Sequence, residues 1–363
     1  MASDVLFSPF NLKGLTLRNR IVMAPMTRSF SPDGVATDEV AAYYRRRAEN
    51  AVGLIVTEGT GVDRPASLND PNIPKVHGDA ALTGWGKVAA ETHKGGGLIA
   101  PQLWHVGAVR GRSDTGVPSD SPSGLSGPGH KFGDPMTDVE VADAIRAFAD
   151  GAAAAKRLGF DAVELHGAHG YLIDQFFWDG TNVREDAYGS KDLPGRARFA
   201  ADILRAVRKA VGPDYPIIIR ISQWKQQDFT VQLAETPKAL EAWLGALVEA
   251  GADVIHCSQR RFWEPEFEGS DLNFAGWAKK LTGVPTITVG SVGLSGDFIA
   301  GYGGEVSQPA SLDELERRLD RGDFDLVAVG RALLQDPEWV VKIREGRHSE
   351  LSSFDRAAMA TLY

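Results

Sequence analysis

Apolar runs that stop at a polar or glycine-rich break recur along the chain: Arg20 to Ala24, Val52 to Thr57, Leu98 to Leu103, Asp161 to Leu165, Pro216 to Ile221, Asp253 to His256, Pro285 to Val289 and Asp325 to Val329. They are apolar without alternation, the pattern of strands buried on both faces of a parallel sheet. Helical patterns lie between them. The clearest puts Leu240, Trp243, Leu244, Leu247 and Val248 on one stripe, at the spacing of a helix that packs one face. Two more announce their starts with capping boxes, Thr137 with Glu140 and Ser311 with Glu314, where hydroxyl and carboxylate each satisfy a free backbone donor. Strands separated by helices imply right-handed parallel crossovers, and eight such units close into a (β/α)8 barrel more naturally than they open into a doubly wound sheet. The expected fold is an α/β class TIM barrel. No internal repeat and no linker divides the chain, so residues 1–363 read as a single domain.

The segments after the strands are unequal. That from His105 to Thr137 is rich in Gly, Pro and Ser and too long for a mere connection; it reads as a lid. Other excursions run from Gly59 to Asp79, Ser258 to Leu272 and Ser291 to Ala310. All follow strands, which places these long loops on the C-terminal face, where barrel active sites are built.

Composition narrows the partners. The chain has 363 residues, 43% hydrophobic and 24% charged, enough to bury a large core. Its net charge of -9 and pI near 5.4 disfavour nucleic acid and anionic membrane alike, leaving a small molecule as the expected partner, with a homo-oligomer open. The lone Cys257 allows no intrachain disulfide. Met1 to Phe10 contains Asp4 and Pro9 and lacks the basic-then-apolar order of a signal peptide. No apolar stretch has the length of a membrane span, and the expected location is cytoplasmic.

The expected rim collects Pro25-Met26-Thr27, Glu58-Gly59, Gln102-Leu103-Trp104, His166, His169, Tyr171, Arg220, Gly290-Ser291 and Gly330-Arg331. Two imidazoles three residues apart and a phenol two further on leave the end of one strand together; such a cluster can grip an oxygen and deliver a proton. The rival readings are a pair of satisfied core imidazoles or a structural metal site that includes Glu164, though no further carboxylate or Cys stands nearby at ligand spacing. Tyr171 alone is also what an aromatic wall looks like. Gly290 and Gly330 expose backbone N–H groups that suit a phosphate, and Arg331 adds a fork of donors for the same anion; the bland reading is a strand-to-helix turn. Arg220, ending an apolar strand, needs either an ion-pair partner or a ligand. Gln102 offers an amide donor and acceptor to an imide-like ring edge, or to the backbone. Thr27 either reaches a ring carbonyl or caps a turn.

These residues resemble the old yellow enzyme family of FMN-dependent ene-reductases. The matching stretches are Asn19-Arg-Ile-Val-Met-Ala-Pro-Met-Thr-Arg28, Gln102-Leu-Trp-His105, His166-Gly-Ala-His-Gly-Tyr-Leu-Ile-Asp-Gln-Phe176, Asn182 to Tyr188 with Arg196-Ala-Arg-Phe199, and Asp325-Leu-Val-Ala-Val-Gly-Arg331, in the family's order across nearly the whole chain. The resemblance implies that Pro25, Met26, Thr27, Gly59 and Gln102 hold the isoalloxazine of a non-covalent FMN, with Arg220 at its N1 and C2 carbonyl edge. Thr27 would sit at the C4 carbonyl, and Gly290, Ser291, Gly330 and Arg331 would bind the 5′-phosphate. It further implies an electron donor, NADPH or NADH, and ping-pong reduction of the activated C=C bond of an α,β-unsaturated carbonyl compound. His166 and His169 would clamp the substrate oxygen, Trp104 would wall the substrate site, and Tyr171 would act as general acid; no metal is implied.

Four features depart from the pattern. Val106-Gly-Ala-Val-Arg110 follows His105 where relatives continue differently, Thr27 stands where some carry Cys, and Gln223-Trp224-Lys225-Gln226 and Arg260-Arg-Phe-Trp263 are aromatic and basic rim segments. The last two either shape the pocket, contact a nicotinamide phosphate, or are solvated loop surface. Rival activities on the same flavin are oxidative demethylation and nitro-group or xenobiotic reduction, and a third reading is a flavin-binding protein with little turnover. A single Cys rules against an iron–sulfur cluster in this sequence.

Overall fold

The computed structural model describes residues 5–110, 117–297 and 306–363 and closes all eight apolar runs into one parallel barrel. Its strands are β1 (Ile21–Met23), β2 (Leu54–Gly61), β3 (Leu98–Trp104), β4 (Val163–His169), β5 (Ile217–Lys225), β6 (Val254–Ser258), β7 (Thr286–Val289) and β8 (Leu326–Val329). Each pairs with the next, and β8 returns to β1 through Val327 opposite Ile21 and Val329 opposite Met23. The main helices are α1 (Asp38–Glu49), α2 (Asp79–Lys94), α3 (Asp138–Arg157), α4 (Arg198–Val211), α5 (Pro237–Glu249), α6 (Phe274–Thr282) and α7 (Asp313–Arg321); two short helices, Arg331–Gln335 and Trp339–Arg344, follow β8. The expected (β/α)8 fold is the observed one.

Alternation along each strand sends its side chains to two different cores. Ile21, Ile55, Ile99, Val163, Ile219, Ile255 and Val327 point outward into the layer that contains Trp85, Phe148, Phe199 and Trp243 from the helices. Val22, Leu54, Val56, Ala100, Ile218, Val254, Ile287 and Leu326 form a separate cluster inside the barrel. Leu12 and Leu17 join that inner cluster from a short antiparallel hairpin, Phe10–Leu12 with Leu15–Leu17, not foreseen from the hydrophobic pattern. Lys13 at its turn pairs with Asp253, which precedes β6, at 2.7 Å, so the hairpin covers the end where the strands begin.

On α5, Leu240, Trp243, Leu244 and Leu247 are buried and Val248 is partly so, as the stripe predicts. The box at Thr137 forms in full: its hydroxyl accepts from the Glu140 amide while Glu140 accepts from the Thr137 amide at 2.7 Å. The box expected at Ser311 does not. Helix α7 begins at Asp313 with Leu312 at the cap, Ser311 Oγ accepts only from the Asp313 amide at 3.1 Å, and Glu314 is drawn instead to Arg317 and Arg318 at 2.7 and 2.6 Å. Two guanidinium groups within reach outcompete a neutral backbone donor.

The described part of the expected lid is tied down at its root. Asp120 accepts from Arg64 Nε and Nη2 at 3.0 and 2.9 Å and lies 2.9 Å from His105 Nε2. Burial opposes its ionisation, but these hydrogen bonds outweigh burial and hold the carboxyl at about 2. Residues 111–116 of the lid, and 298–305 of the loop after β7, fall outside the described residues.

Candidate functional site

On the inner face the strands change character as they rise. Ala162 gives way to Glu164 and His166 at β4, Ile218 to Arg220 and Ser222 on β5, and Val254 to His256 and Ser258 on β6. Parallel register aligns the new residues: His166 lies opposite Arg220, Arg220 opposite His256, and Gln102 opposite Glu164. Glu164 accepts from Gln102 Nε2 at 2.8 Å, and its other oxygen is 2.7 Å from His256 Nδ1. All five of these residues are buried, and His256 Nε2 and Arg220 Nε lack a protein partner. His256 was not among the residues expected from sequence; the signal was its place two residues past Val254 on the inner face.

At the end of β4, His166 of this row is joined by the second imidazole and the phenol. The His166 ring centroid is 5.1 Å from that of His169 and 4.9 Å from that of Tyr171, and Trp104 closes the group edge-on to Tyr171 at 4.9 Å. Burial, and then the nearby Arg220 guanidinium, holds both imidazoles well below their ordinary range, so both are neutral at pH 7. His166 Nδ1 accepts from the Ala168 amide at 3.4 Å, which leaves the ring proton on Nε2. His169 Nε2 lies 2.7 Å from Ser258 Oγ, which Arg220 also approaches at 3.4 Å. His169 takes a left-handed backbone, φ +66°, costly for a non-glycine residue and typical of sites that the surrounding structure over-determines. It turns the chain so that Tyr171 comes back over the strand end.

The other expected residues border this cluster unevenly. Pro25 and Met26 are half-buried and Thr27 is exposed, on a loop whose next two amides, Arg28 and Ser29, both donate to Glu58 Oε2 at 2.8 and 3.1 Å. Gly59 lies under Trp104: a Cβ there would come within 2.4 Å of the indole. Gly290 is held at φ +146° with no room for a Cβ beside the Gln259 carbonyl, while at Gly330 the nearest atom to such a Cβ is Met26 Sδ at 3.6 Å. Ser291 Oγ donates to the Arg260 carbonyl at 3.0 Å. Arg331 donates to the carbonyls of Gly296 and Asp297 and to Ser307 Oγ, so its guanidinium ties down the loop after β7.

This donor set fits FMN. Gln102 gives its amide nitrogen to Glu164, which leaves the carbonyl end to accept from an imide N–H. Arg220 offers an unpaired Nε beside it, suited to negative charge near the N1 edge of a reduced flavin. The metal alternative for Glu164 loses its ligand: both oxygens are taken by Gln102 and His256.

Residues 5–350 match the model of the NADH:flavin oxidoreductase / NADH oxidase family, and the chain belongs to that family, the one that contains the old yellow enzymes. It is 35% identical over 360 residues to an NADH oxidase of Thermoanaerobacter brockii, covering 95% of this chain and 52% of that protein. It is 32% identical over 347 residues to an NADPH dehydrogenase of Geobacillus thermodenitrificans, covering 93% of each. The chain therefore spans about half the length of the first relative and nearly all of the second. Among solved structures it is similar to morphinone reductase in complex with tetrahydroNAD, with a TM-score of 0.81 and 29% identity over 98% of this chain and 93% of that one. The old yellow enzyme homologue from Zymomonas mobilis gives a TM-score of 0.81 at 25% identity over 98% and 96%.

The segments singled out as departures also find their places. Phe262 is buried, and Arg260 and Arg261 both pair with the buried Asp297 at 2.8 and 2.7 Å. Lys225 is buried rather than solvated. Asn182 and Arg196, from the family-like stretches, donate to the carbonyls of Phe176, Tyr188 and Phe177, so they brace the short helix after Tyr171.

Proposed function

We propose that this protein is an FMN-dependent oxidoreductase that reduces the activated C=C bond of α,β-unsaturated carbonyl compounds with NADH or NADPH in a ping-pong cycle. The observation that carries the reading is the packing of two neutral imidazoles and a phenol around one point at the strand ends, with His166 directly opposite a buried arginine, Arg220. FMN, held along Pro25 to Thr27, Gly59, Gln102 and Arg220 with its phosphate near Gly290, Ser291, Gly330 and Arg331, would supply the hydride. The chain's own residues do the rest. His166 Nε2–H and His169 face a substrate oxygen as neutral donors; they stabilise the charge that gathers on it, a contribution on the order of a hundredfold or more. Being neutral, each ring donates a hydrogen bond and keeps its proton, because an imidazole N–H is a far weaker acid than an imidazolium. Tyr171 delivers the proton to the α-carbon, and Trp104 bounds the acceptor's place beside His166.

Stopped-flow measurement of the two half-reactions tests this. Purified protein is expected to show a flavin spectrum bleached by NADPH and restored by cyclohexenone. Tyr171→Phe keeps the bleaching and slows the restoration by about 10²- to 10⁴-fold. Equal loss in both half-reactions, or a protein that takes up no FMN, overturns the reading.

A further inference from the structure

The segment 224–227 packs against the turn that carries His169 and Tyr171. The Trp224 ring lies stacked on His169, centroids 4.6 Å apart, and its Nε1 donates to the Ser258 carbonyl at 3.2 Å. Lys225 donates to Asp174 Oδ1 at 2.6 Å, while Asp174 Oδ2 accepts from the Gly170 amide at 2.7 Å. Gln227 Nε2 donates to the Gly170 carbonyl at 3.1 Å, and the Gln226 amide to the His169 carbonyl at 3.4 Å. One contact in this set reaches the reacting phenol itself: Gln226 Nε2 donates to Tyr171 Oη at 2.9 Å.

We propose that Gln226 is a positioning residue for proton delivery by Tyr171, a role that rests on the reading of Tyr171 as the acid. An amide nitrogen only donates, so in this contact the phenol oxygen is the acceptor and its hydrogen is not spent on Gln226. The same bond strengthens as the proton leaves, because a donor to a charged oxygen is worth about twice one to a neutral oxygen. It therefore favours the transition state over the ground state. In the step, the Oη–H bond breaks with its electron pair staying on oxygen, and the proton joins the α-carbon through the electron pair of the enolate that hydride addition to the β-carbon leaves. Gln226 keeps both its protons, and Tyr171 is reprotonated from solvent. The backbone contact of Gln226 with His169 gives this exposed side chain a fixed origin, so a flexible residue acts from a set position.

The test uses the full FMN-loaded protein and follows both half-reactions across pH, NADPH against flavin and reduced flavin against cyclohexenone. Gln226→Leu is expected to slow cyclohexenone reduction about tenfold more than flavin reduction, the size of one hydrogen bond to a charged oxygen. It should move the alkaline limb of cyclohexenone reduction to higher pH. Gln226→Lys, a donor of similar reach, should restore most of the rate, and in a Tyr171→Phe background Gln226→Leu should add nothing. An unchanged rate and profile overturns the proposal. So does a shift of the limb to lower pH, which would mean that the amide oxygen holds the phenol hydrogen, and so does an equal loss in both half-reactions, which marks a merely structural role. If Tyr171→Phe by itself leaves cyclohexenone reduction intact, the acid assignment fails instead, and the two failures are distinguishable.

Discussion

The lower and upper halves of the barrel interior share strands, alternation and burial, yet one is filled by Val22, Leu54, Val56, Ala100, Ile218 and Val254 and the other by Gln102, Glu164, His166, Arg220 and His256. On β5 the boundary is two residues wide, Ile218 to Arg220. Below it, stability comes from packing, which asks only for shape and volume. Above it, every polar group that gives up water needs a partner, and those left without a protein partner mark where a ligand belongs. Scaffold and chemistry are thus separated along the strand axis, and the two halves should answer mutation differently.

The largest response is expected in the upper half at Lys225. Its ammonium and Asp174 form a fully buried ion pair at 2.6 Å, and Lys225→Met strips the partner from a buried carboxylate that also orients Gly170. Breaking such a pair costs about 3–5 kcal/mol, read as a fall in the urea midpoint. A loss below about 1 kcal/mol would show that the polar half does not depend on its pairing. In the lower half, Ile218→Ala should cost about 2–5 kcal/mol by cavity formation. The visible spectrum and half-reaction rates of the folded variant should stay unchanged. A shifted flavin spectrum in Ile218→Ala would break the separation.

The lower half was the legible one. A buried strand writes itself as a run of apolar residues, and all eight runs became barrel strands. The imidazole–phenol cluster was legible too, because its three residues are local in sequence. What escaped depends on side chains that meet only through the closed barrel. His256 and Ser258 lie some ninety positions from the Glu164 and His169 they touch, and nothing in the spacing of either segment announces the other. Gln226 read as equally loop surface or pocket because exposure and contact with Tyr171 coexist in it. The hairpin at Phe10–Leu17 was missed because three-residue strands carry too short an alternation to register, and Ser311 because a capping pattern cannot reveal that Arg317 and Arg318 claim the glutamate.

Charge in the upper half should also show as a pH dependence. Burial raises the Glu58 carboxyl from 4.5 to about 7, partly offset by the Arg28 and Ser29 amides. Between those values the folded protein holds a proton that the unfolded chain has released. Stability contributed by this group therefore falls as pH rises from about 4.5 to about 7, by at most about 3 kcal/mol. Glu58→Gln keeps an acceptor for both amides and carries no charge. Relative to wild type it should be more stable at pH 8 than at pH 5 by up to that amount in urea unfolding. Some slope will persist, since burial raises Glu266 to about 7 as well. A Glu58→Gln difference that is independent of pH would show that this carboxyl is ionised in the fold throughout.

The smallest effect lies outside the barrel and tests whether its interior is insulated from the helices that wrap it. Thr137 closes a complete capping box on α3, whereas Ser311 caps nothing beyond one amide two residues on. Thr137→Ala should therefore cost about 1 kcal/mol and Ser311→Ala a few tenths at most, both by urea titration. Neither should change the flavin spectrum or the rate of either half-reaction, because the start of α3 packs on the outer apolar layer, where Val141, Ala144 and Phe148 lie. Equal losses at the two positions would mean that the hydroxyl bond at Thr137, not the reciprocal Glu140 contact, carries little of the cap.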